Sequence, residues 1–312
     1  MDLSVVIPVF NEQDSLRPLH DELEHALKPL GLSYEIVFVD DGSTDASASV
    51  LRALRAADPC CRVLRLARNT GQTAALVCGL HNARGAVVVA IDGDGENDPA
   101  DIPRLLAKLD EGYDLVSGWR RARWKGSPLT RRLPSMAANA LISRMTGVAL
   151  HDSGCTLKSY RGELARELQL YGEMHRFVPA IAAQLGARVA EIEVNFRPRR
   201  SGASKYGMGR ILRTFLDLIT VVFLSGYSTR PIQAFGTIGL LLAALGGIWT
   251  MMLVFEKIVL GYRLAARPAL LLAVLLVVVG VQFVSLGLLG EMLARTYHES
   301  QNKPIYIVKE EL

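Results

Sequence analysis

The chain has 312 residues and a formal net charge of +4, from 35 basic and 31 acidic side chains; half of its residues are apolar. That charge is too mild for a nucleic-acid surface, which leaves a stronger basic patch, so no nucleic-acid partner is expected. It suits a protein resting on anionic lipid, or serves solubility alone. The apolar excess gathers after Pro231, whereas the first 206 residues have the composition of an ordinary globular domain.

Leu3 to Val9 is a short apolar run, and the helix after it places Leu16, Leu19, Leu23 and Leu27 on one face. Tyr34 to Val39 reads as a second strand, followed by a helix through Val50, Leu51 and Leu54. Arg62 to Leu66 is a third strand, Thr73 to Ala83 a third helix, Ala86 to Ile91 a fourth strand and Leu115 to Ser117 a fifth. Near-continuous apolar strands alternating with helices predict a parallel sheet covered on both faces, with ligands beyond the carboxyl ends of the strands. Pro128 to Met145 reads as a loop and then a helix, and Arg188 to Phe196 alternates like a half-buried strand.

Met208 to Phe223 carries Ile211, Leu212, Phe215, Leu218, Ile219, Val222 and Phe223 on one face, the pattern of a helix lying in a membrane interface or packed on the soluble domain. Pro231 to Phe255 and Pro268 to Gly290 carry no charge, and each exceeds the roughly 20 residues that cross a hydrocarbon core. The short linker between them predicts a hairpin with both flanks on one side. Basic residues on the flanks and in the linker leave the positive-inside bias weak. The start of the chain has neither a basic segment nor a long apolar stretch of the signal-peptide kind, so the catalytic part is expected in the cytosol. Cys60, Cys61, Cys78 and Cys155 show no metal-ligand spacing and read as reduced thiols.

Three clusters fall at strand ends. Asp92-Gly93-Asp94, with Glu96 two residues on, can reach a divalent cation and a diphosphate together. Three acidic groups so close repel one another unless a cation sits between them. Asp40-Asp41-Gly42-Ser43-Thr44-Asp45 ends the second strand; Ser43 or Asp45 suits a helix cap, and Asp41 suits a nucleoside base or ribose. Pro8-Val9-Phe10-Asn11-Glu12 ends the first.

Taken with Asn97-Asp98-Pro99, this set resembles family-2 glycosyltransferases of GT-A fold. Within that family it is similar to the polyprenyl-phosphate group, which includes dolichol-phosphate mannose synthases and bacterial undecaprenyl-phosphate glycosyltransferases. The likeness spans the whole chain, the membrane hairpin included. It implies nucleotide-sugar contacts from Pro8, Phe10, Glu12, Val39, Asp41, Asp92, Gly93, Asp94 and Arg120, with Arg199 and Lys205 from an Arg-x-x-Gly-x-Ser-Lys element that includes Gly202 and Ser204. It implies Mg²⁺ or Mn²⁺ on Asp94 and Glu96; the family commonly has Gln at the second position, so metal preference is open. Phe10 is often Tyr there, which keeps stacking and loses a hydroxyl. Arg131 and Ser135 are implied to hold the acceptor phosphate. Charge balance also asks for such cations, because a diphosphate leaving group and an anionic acceptor must meet. Arg131, Arg132, Arg199 and Arg200 read, without the resemblance, equally well as solvated charge. Asp152 stands where related enzymes carry an aspartate near the acceptor. A phosphate monoester, with a second pKa near about 6, needs no general base, so Asp152 is read as orienting basic groups.

The expected architecture is an α/β GT-A domain over 1–206, an amphipathic segment over 207–230, membrane helices over 231–255 and 268–290, a non-cytosolic loop over 256–267 and a cytosolic tail over 291–312. The expected activity is metal-dependent, inverting transfer of a sugar from a UDP- or GDP-linked donor to undecaprenyl or dolichyl phosphate, with the catalytic residues Asp94, Asp152, Arg131, Ser135, Arg199 and Lys205. The expected place is the inner or plasma membrane, multi-pass, as a monomer or homo-oligomer. A hydroxyl acceptor on a glycolipid or polysaccharide is the alternative, although the Gln-x-x-Arg-Trp element of processive synthases is missing. A nucleotide-binding anchor without activity is the other, against which the intact Asp92 and Asp94 pair argues.

Overall fold

The computed structural model describes residues 1–124, 150–170, 174–197, 231–261 and 268–300, with Tyr306 and 308–311. Arg131, Ser135, Arg199 and Lys205, the Pro128–Met145 reading and the amphipathic Met208–Phe223 segment lie outside them.

The strands are β1 (Leu3–Val9), β2 (Tyr34–Asp40), β3 (Cys61–Leu66), β4 (Val87–Ala90), β5 (Leu115–Trp119), β6 (Lys158–Arg161), β7 (Val189–Glu193) and β8 (Val308–Glu311). They form one sheet in the order β7-β5-β6-β4-β1-β2-β3-β8. β4, β1, β2 and β3 pair in parallel, as their mostly apolar runs suggest. β1 and β2 are buried almost end to end, because α1 (Leu16–Leu27), α2 (Ser47–Ala57) and α4 (Ile102–Asp110) cover one face and α3 (Gln72–Asn82) the other. α3 has no polar side and is buried along most of its length, whereas α1 buries only the Leu16, Leu19, Leu23 and Leu27 stripe together with His20. Two shorter helices, α5 (Gly162–Glu167) and α6 (Val178–Gln184), complete the α3 side.

Two strands depart from the sequence reading. β6, which the sequence reading did not identify, runs antiparallel between β4 and β5 in a sheet that is mostly parallel, as expected. Its four residues, Lys-Ser-Tyr-Arg, show no apolar run; it is recognisable only by its buried Tyr160 and Lys158. β8 comes from the expected tail and pairs antiparallel with β3. It closes an edge that would otherwise present unpaired backbone groups.

An ion-pair chain ties β8 to the sheet interior. Glu35, fully buried, accepts from Ser4 Oγ at 2.6 Å and from Arg62 at 2.8 Å. The other arm of Arg62 reaches Glu311 at 2.7 Å. Burial pushes Glu35 up, but the Ser4 and Arg62 hydrogen bonds prevail and hold it below the usual carboxylate range.

The chain divides into two compact units, Met1–Val221 with Pro304–Leu312, and Val222–Lys303. The second contains α7 (Pro231–Leu260) and α8 (Pro268–Ser300). Phe235–Leu260 and Pro268–Gly290 are long and apolar enough to cross a membrane. Both helices outrun the expected spans: α7 continues through Glu256 and Lys257, and α8 continues beyond Gly290. Helix propensity carries the hydrogen-bond ladder past the point where charge returns. Gly239 lies against the Gly280 backbone and Gly246 against that of Ala273, so the two helices touch backbone to backbone, as small residues permit.

Removing Arg62 should be far more damaging than removing Glu311. Arg62→Ala strands a buried carboxylate and should lower stability by about 3 kcal/mol. Glu311→Ala, at a half-exposed site, should lower it by less than about 1 kcal/mol. Thermal unfolding of the two variants checks the ranking.

Candidate functional site

The ends of β1, β2 and β4 are sewn together by short polar contacts. Asp41 N–H donates to Val9 O at 2.8 Å, continuing the ladder past the strand ends. Asn11, held at a φ of 58°, accepts from Thr44 N–H at 2.8 Å and donates its own N–H to Ser43 Oγ at 3.0 Å. Ser15 Oγ donates to Gly93 O at 2.6 Å and lies 3.2 Å from Glu12 Oε2. Gly93 sits so close to β1 that a Cβ there would lie 3.2 Å from Pro8 O. Pro8, Glu12, Gly93 and Asp41 therefore converge on one end of the sheet, and Phe10 stands 42% exposed at its rim. Val39 does not join them through its side chain, which is fully buried in the α3-side core.

Asp41 is buried, and both of its oxygens are engaged. One accepts from Thr70 N–H at 2.8 Å and Thr70 Oγ1 at 2.9 Å, the other from Gly71 N–H at 2.8 Å. Its visible work is to hold the β3–α3 loop against the cleft. Gly42 beside it has a φ of +69°, and a Cβ there would stand 2.7 Å from Asn69 N, so only glycine fits.

Asp92, Gly93 and Asp94 follow the end of β4, and Asp94 Oδ1 accepts Glu96 N–H at 3.0 Å, which folds the loop back on itself. Asp92 accepts from Gln72 Nε2 at 2.7 Å. Burial, and next the charge of Asp94, push Asp92 up to about 6, against the opposing pull of a Thr156 hydrogen bond and Arg120. The three acidic side chains offer only oxygen, the donor that Mg²⁺ and Mn²⁺ prefer. This all-oxygen donor set, with Asp92 held up by burial and by the neighbouring Asp94 charge, fits a hard divalent cation.

Arg120, 4% exposed, faces this cluster from the end of β5. It grips Asp152 through Nε at 2.9 Å and Nη2 at 3.2 Å, gives Nη2 also to Gly154 O, and stands 3.9 Å from Glu96. Burial pushes Asp152 up, but Arg120 outweighs it and holds the carboxyl below its ordinary range. Asp152 is thus an anion already spent on an arginine.

Several supporting residues have no motif. Glu191 of β7 accepts from His151 N–H at 3.0 Å and Asp152 N–H at 2.9 Å, and pairs with His151 Nδ1 at 2.8 Å. Lys158, fully buried, donates to the Ser153 and Cys155 carbonyls and holds the same turn from below. Arg197 pairs with Asp98 and Glu22, each at 2.7 Å, and its N–H donates to Glu96 O at 2.9 Å. The segment that leads to Arg199 is therefore anchored beside Glu96. Alternation in Arg188–Phe196 was the one signal for Glu191; nothing local marks Lys158 or Gln72.

A model described as glycosyl transferase family 2 matches residues 4–169. A dodecaprenyl-phosphate galacturonate synthase of Rhizobium johnstonii is 42% identical over 99% of this chain and 93% of its own length. An undecaprenyl-phosphate 4-deoxy-4-formamido-L-arabinose transferase of Edwardsiella ictaluri is 38% identical over 98% of this chain and 93% of its own. In fold, the chain is similar to glucosyl-3-phosphoglycerate synthase of Mycobacterium tuberculosis, crystallised with Mn²⁺, UDP and phosphoglyceric acid. The TM-score is 0.57 at 20% identity, covering 72% of this chain and 78% of that one.

Asp92 sets a pH dependence. Its value in the folded protein lies above its ordinary 3.8, so without metal its contribution to stability falls as pH rises from about 4 to about 6. A divalent cation relieves that loss where Asp92 is ionised. The rise in melting temperature produced by Mn²⁺ should therefore be small near about pH 5 and grow towards about pH 7. A pH-independent shift would show that Asp92 is not part of the metal's charge balance.

Proposed function

Because the chain belongs to glycosyl transferase family 2, we propose that it transfers a sugar from a nucleoside-diphosphate donor to a polyprenyl phosphate at a membrane surface. The observation that carries this reading is likeness along nearly the entire chain, both apolar helices included, to two transferases whose names specify polyprenyl-phosphate acceptors.

Asp94 and Glu96, with Asp92 beside them, would hold Mg²⁺ or Mn²⁺; when bound, the ion supplies positive charge to the departing diphosphate. Pro8, Phe10, Glu12 and Asp41 line the nucleoside end of the cleft, and Val39 supports them from the core. An oxygen of the lipid phosphate attacks the anomeric carbon, the bond from that carbon to the diphosphate breaks, and the nucleoside diphosphate leaves with the electron pair. Displacement on the opposite face inverts the centre. The acceptor phosphate is ionised near neutral pH and needs no base. Asp152 accordingly serves as a positioning residue that aims Arg120. Arg131, Ser135, Arg199 and Lys205 are assigned to the two anions by resemblance.

We read α7 and α8 as two membrane crossings, with the catalytic unit in the cytosol; β8 follows both helices in the chain and pairs in the same sheet as β1 to β7, and an even number of crossings suits that pairing.

The sugar is a separate matter: the two relatives are named for galacturonate and for a formamido-arabinose. A panel of UDP- and GDP-sugars with polyprenyl phosphate identifies it. The same assay tests the acceptor, because product should form with the phosphate and not with the matching free alcohol. Equal use of the alcohol would replace this reading with the hydroxyl-acceptor one. Asp94→Asn should abolish transfer. Arg131→Ala should lower acceptor-side kcat/KM by about ten- to a hundredfold, the worth of one charge-assisted hydrogen bond, while nucleotide affinity measured by calorimetry stays within about twofold.

A further inference from the structure

A second polar cluster lies at the opposite end of the sheet. His20 comes from the buried face of α1, Asp58 follows α2, and Cys61 opens β3. His20 Nε2 lies 2.9 Å from Asp58 Oδ2, and the Cys61 thiol lies 3.4 Å from the same oxygen. One nitrogen, one oxygen and one sulfur, all within 4.8 Å of one another, thus meet from three separate elements. His20 and Cys61 are buried and Asp58 nearly so.

We propose that His20, Asp58 and Cys61 form a zinc-type site, separate from the oxygen-ligated catalytic centre. Tetrahedral zinc, with bonds of about 2.0–2.3 Å, holds its ligand atoms about 3–4 Å apart, close to the 2.9 Å and 3.4 Å that separate Asp58 Oδ2 from His20 and Cys61. The surroundings supply the outer contacts that orient such ligands. Asp58 Oδ1 is turned away by the Cys60 N–H, at 2.8 Å, which leaves Oδ2 to face His20 and Cys61. His20 Nδ1 lies 3.7 Å from Asp21, a carboxylate behind the imidazole. Cys60, half-buried, is not one of the three clustered ligand residues, so the fourth position falls to water. Binding releases the Cys61 thiol proton to solvent, leaves the imidazole proton on Nδ1 so that the Nε2 lone pair faces the metal, and replaces the His20–Asp58 hydrogen bond with two metal bonds.

A thiolate and an imidazole select zinc over Mg²⁺ or Mn²⁺, whereas Asp92, Asp94 and Glu96 make the opposite choice. Cys61 pairs with Ile36 near the start of β2, and Asp41 follows the end of that strand. Roughly 15–20 Å of strand separates the two places, so each can be loaded without the other.

The test uses the full chain in detergent, with excess Mg²⁺ present, titrated with Co²⁺ as a spectroscopic substitute. One equivalent should bring up the near-ultraviolet thiolate-to-cobalt band and the visible bands of a tetrahedral ion, and stoichiometric Zn²⁺ should abolish both. Cys61→Ser, a single-atom change, should remove the thiolate band, His20→Ala should weaken binding at least tenfold, and Asp94→Asn should leave the spectrum intact. If the unmodified chain gives only the spectrum of a six-coordinate, oxygen-ligated ion, or the thiolate band survives in the Cys60→Ser, Cys61→Ser double variant, the cluster is a buried ion pair and nothing more. Neither result depends on which sugar or lipid the catalytic site uses.

Discussion

The end of the sheet proposed as catalytic is organised around a crowd of negative charge. Asp92, Asp94 and Glu96 share one loop, and among the described residues Arg120 faces them with most of its hydrogen-bonding capacity committed to Asp152 and Gly154. Burial, and next the charge of Asp94, hold Asp92 above the usual carboxylate range, at about 6. A site arranged in this way is poised to gain from a divalent ion and a diphosphate arriving together, since each offsets the charge the other brings. Full neutralisation by the protein itself would take that incentive away.

Keeping such a cluster in place requires rigid surroundings, and these are built from the backbone. Asp41 spends its carboxylate on the β3–α3 loop, Ser15 binds the Gly93 carbonyl, and Glu191 takes both N–H groups of the turn that carries Asp152. Each of these three loops is thus fastened to an element distant in sequence. Arg197 does the same for the segment that precedes Arg199. The reactive groups inherit their positions from strands that are buried on both faces and have no room to shift.

The parallel centre of the sheet was legible because a doubly buried strand must be largely apolar, and β1, β2 and β4 are, with Ser4 and Glu35 satisfying each other inside. The acidic loop was legible because Asp92, Asp94 and Glu96 are neighbours in the chain. What escaped was non-local. β6 is a polar tetrapeptide that owes its place to pairing on both sides. Glu191 and Lys158 matter only because the fold brings them under Asp152. The cysteines showed no metal-ligand spacing, yet Cys61 meets His20 across two helices and a strand. The α7 boundary was missed for another reason: charge marks where a helix can leave an apolar medium, whereas hydrogen bonding decides where the helix stops.

The pairing of β3 with β8 has a temporal side. β3 is complete by Leu66, but its outer partner begins at Val308, after both apolar helices. A ribosome delivers the β3 edge long before it delivers the strand that covers it. Closing so long a loop adds only modest entropy once the ends are held together, but the edge must stay unpaired in the meantime. During that interval β3 is a template for any other extended chain nearby. The order of synthesis therefore makes delivery of both apolar helices a precondition for finishing the sheet, and a nascent chain stalled before β8 would present a sticky edge to its neighbours.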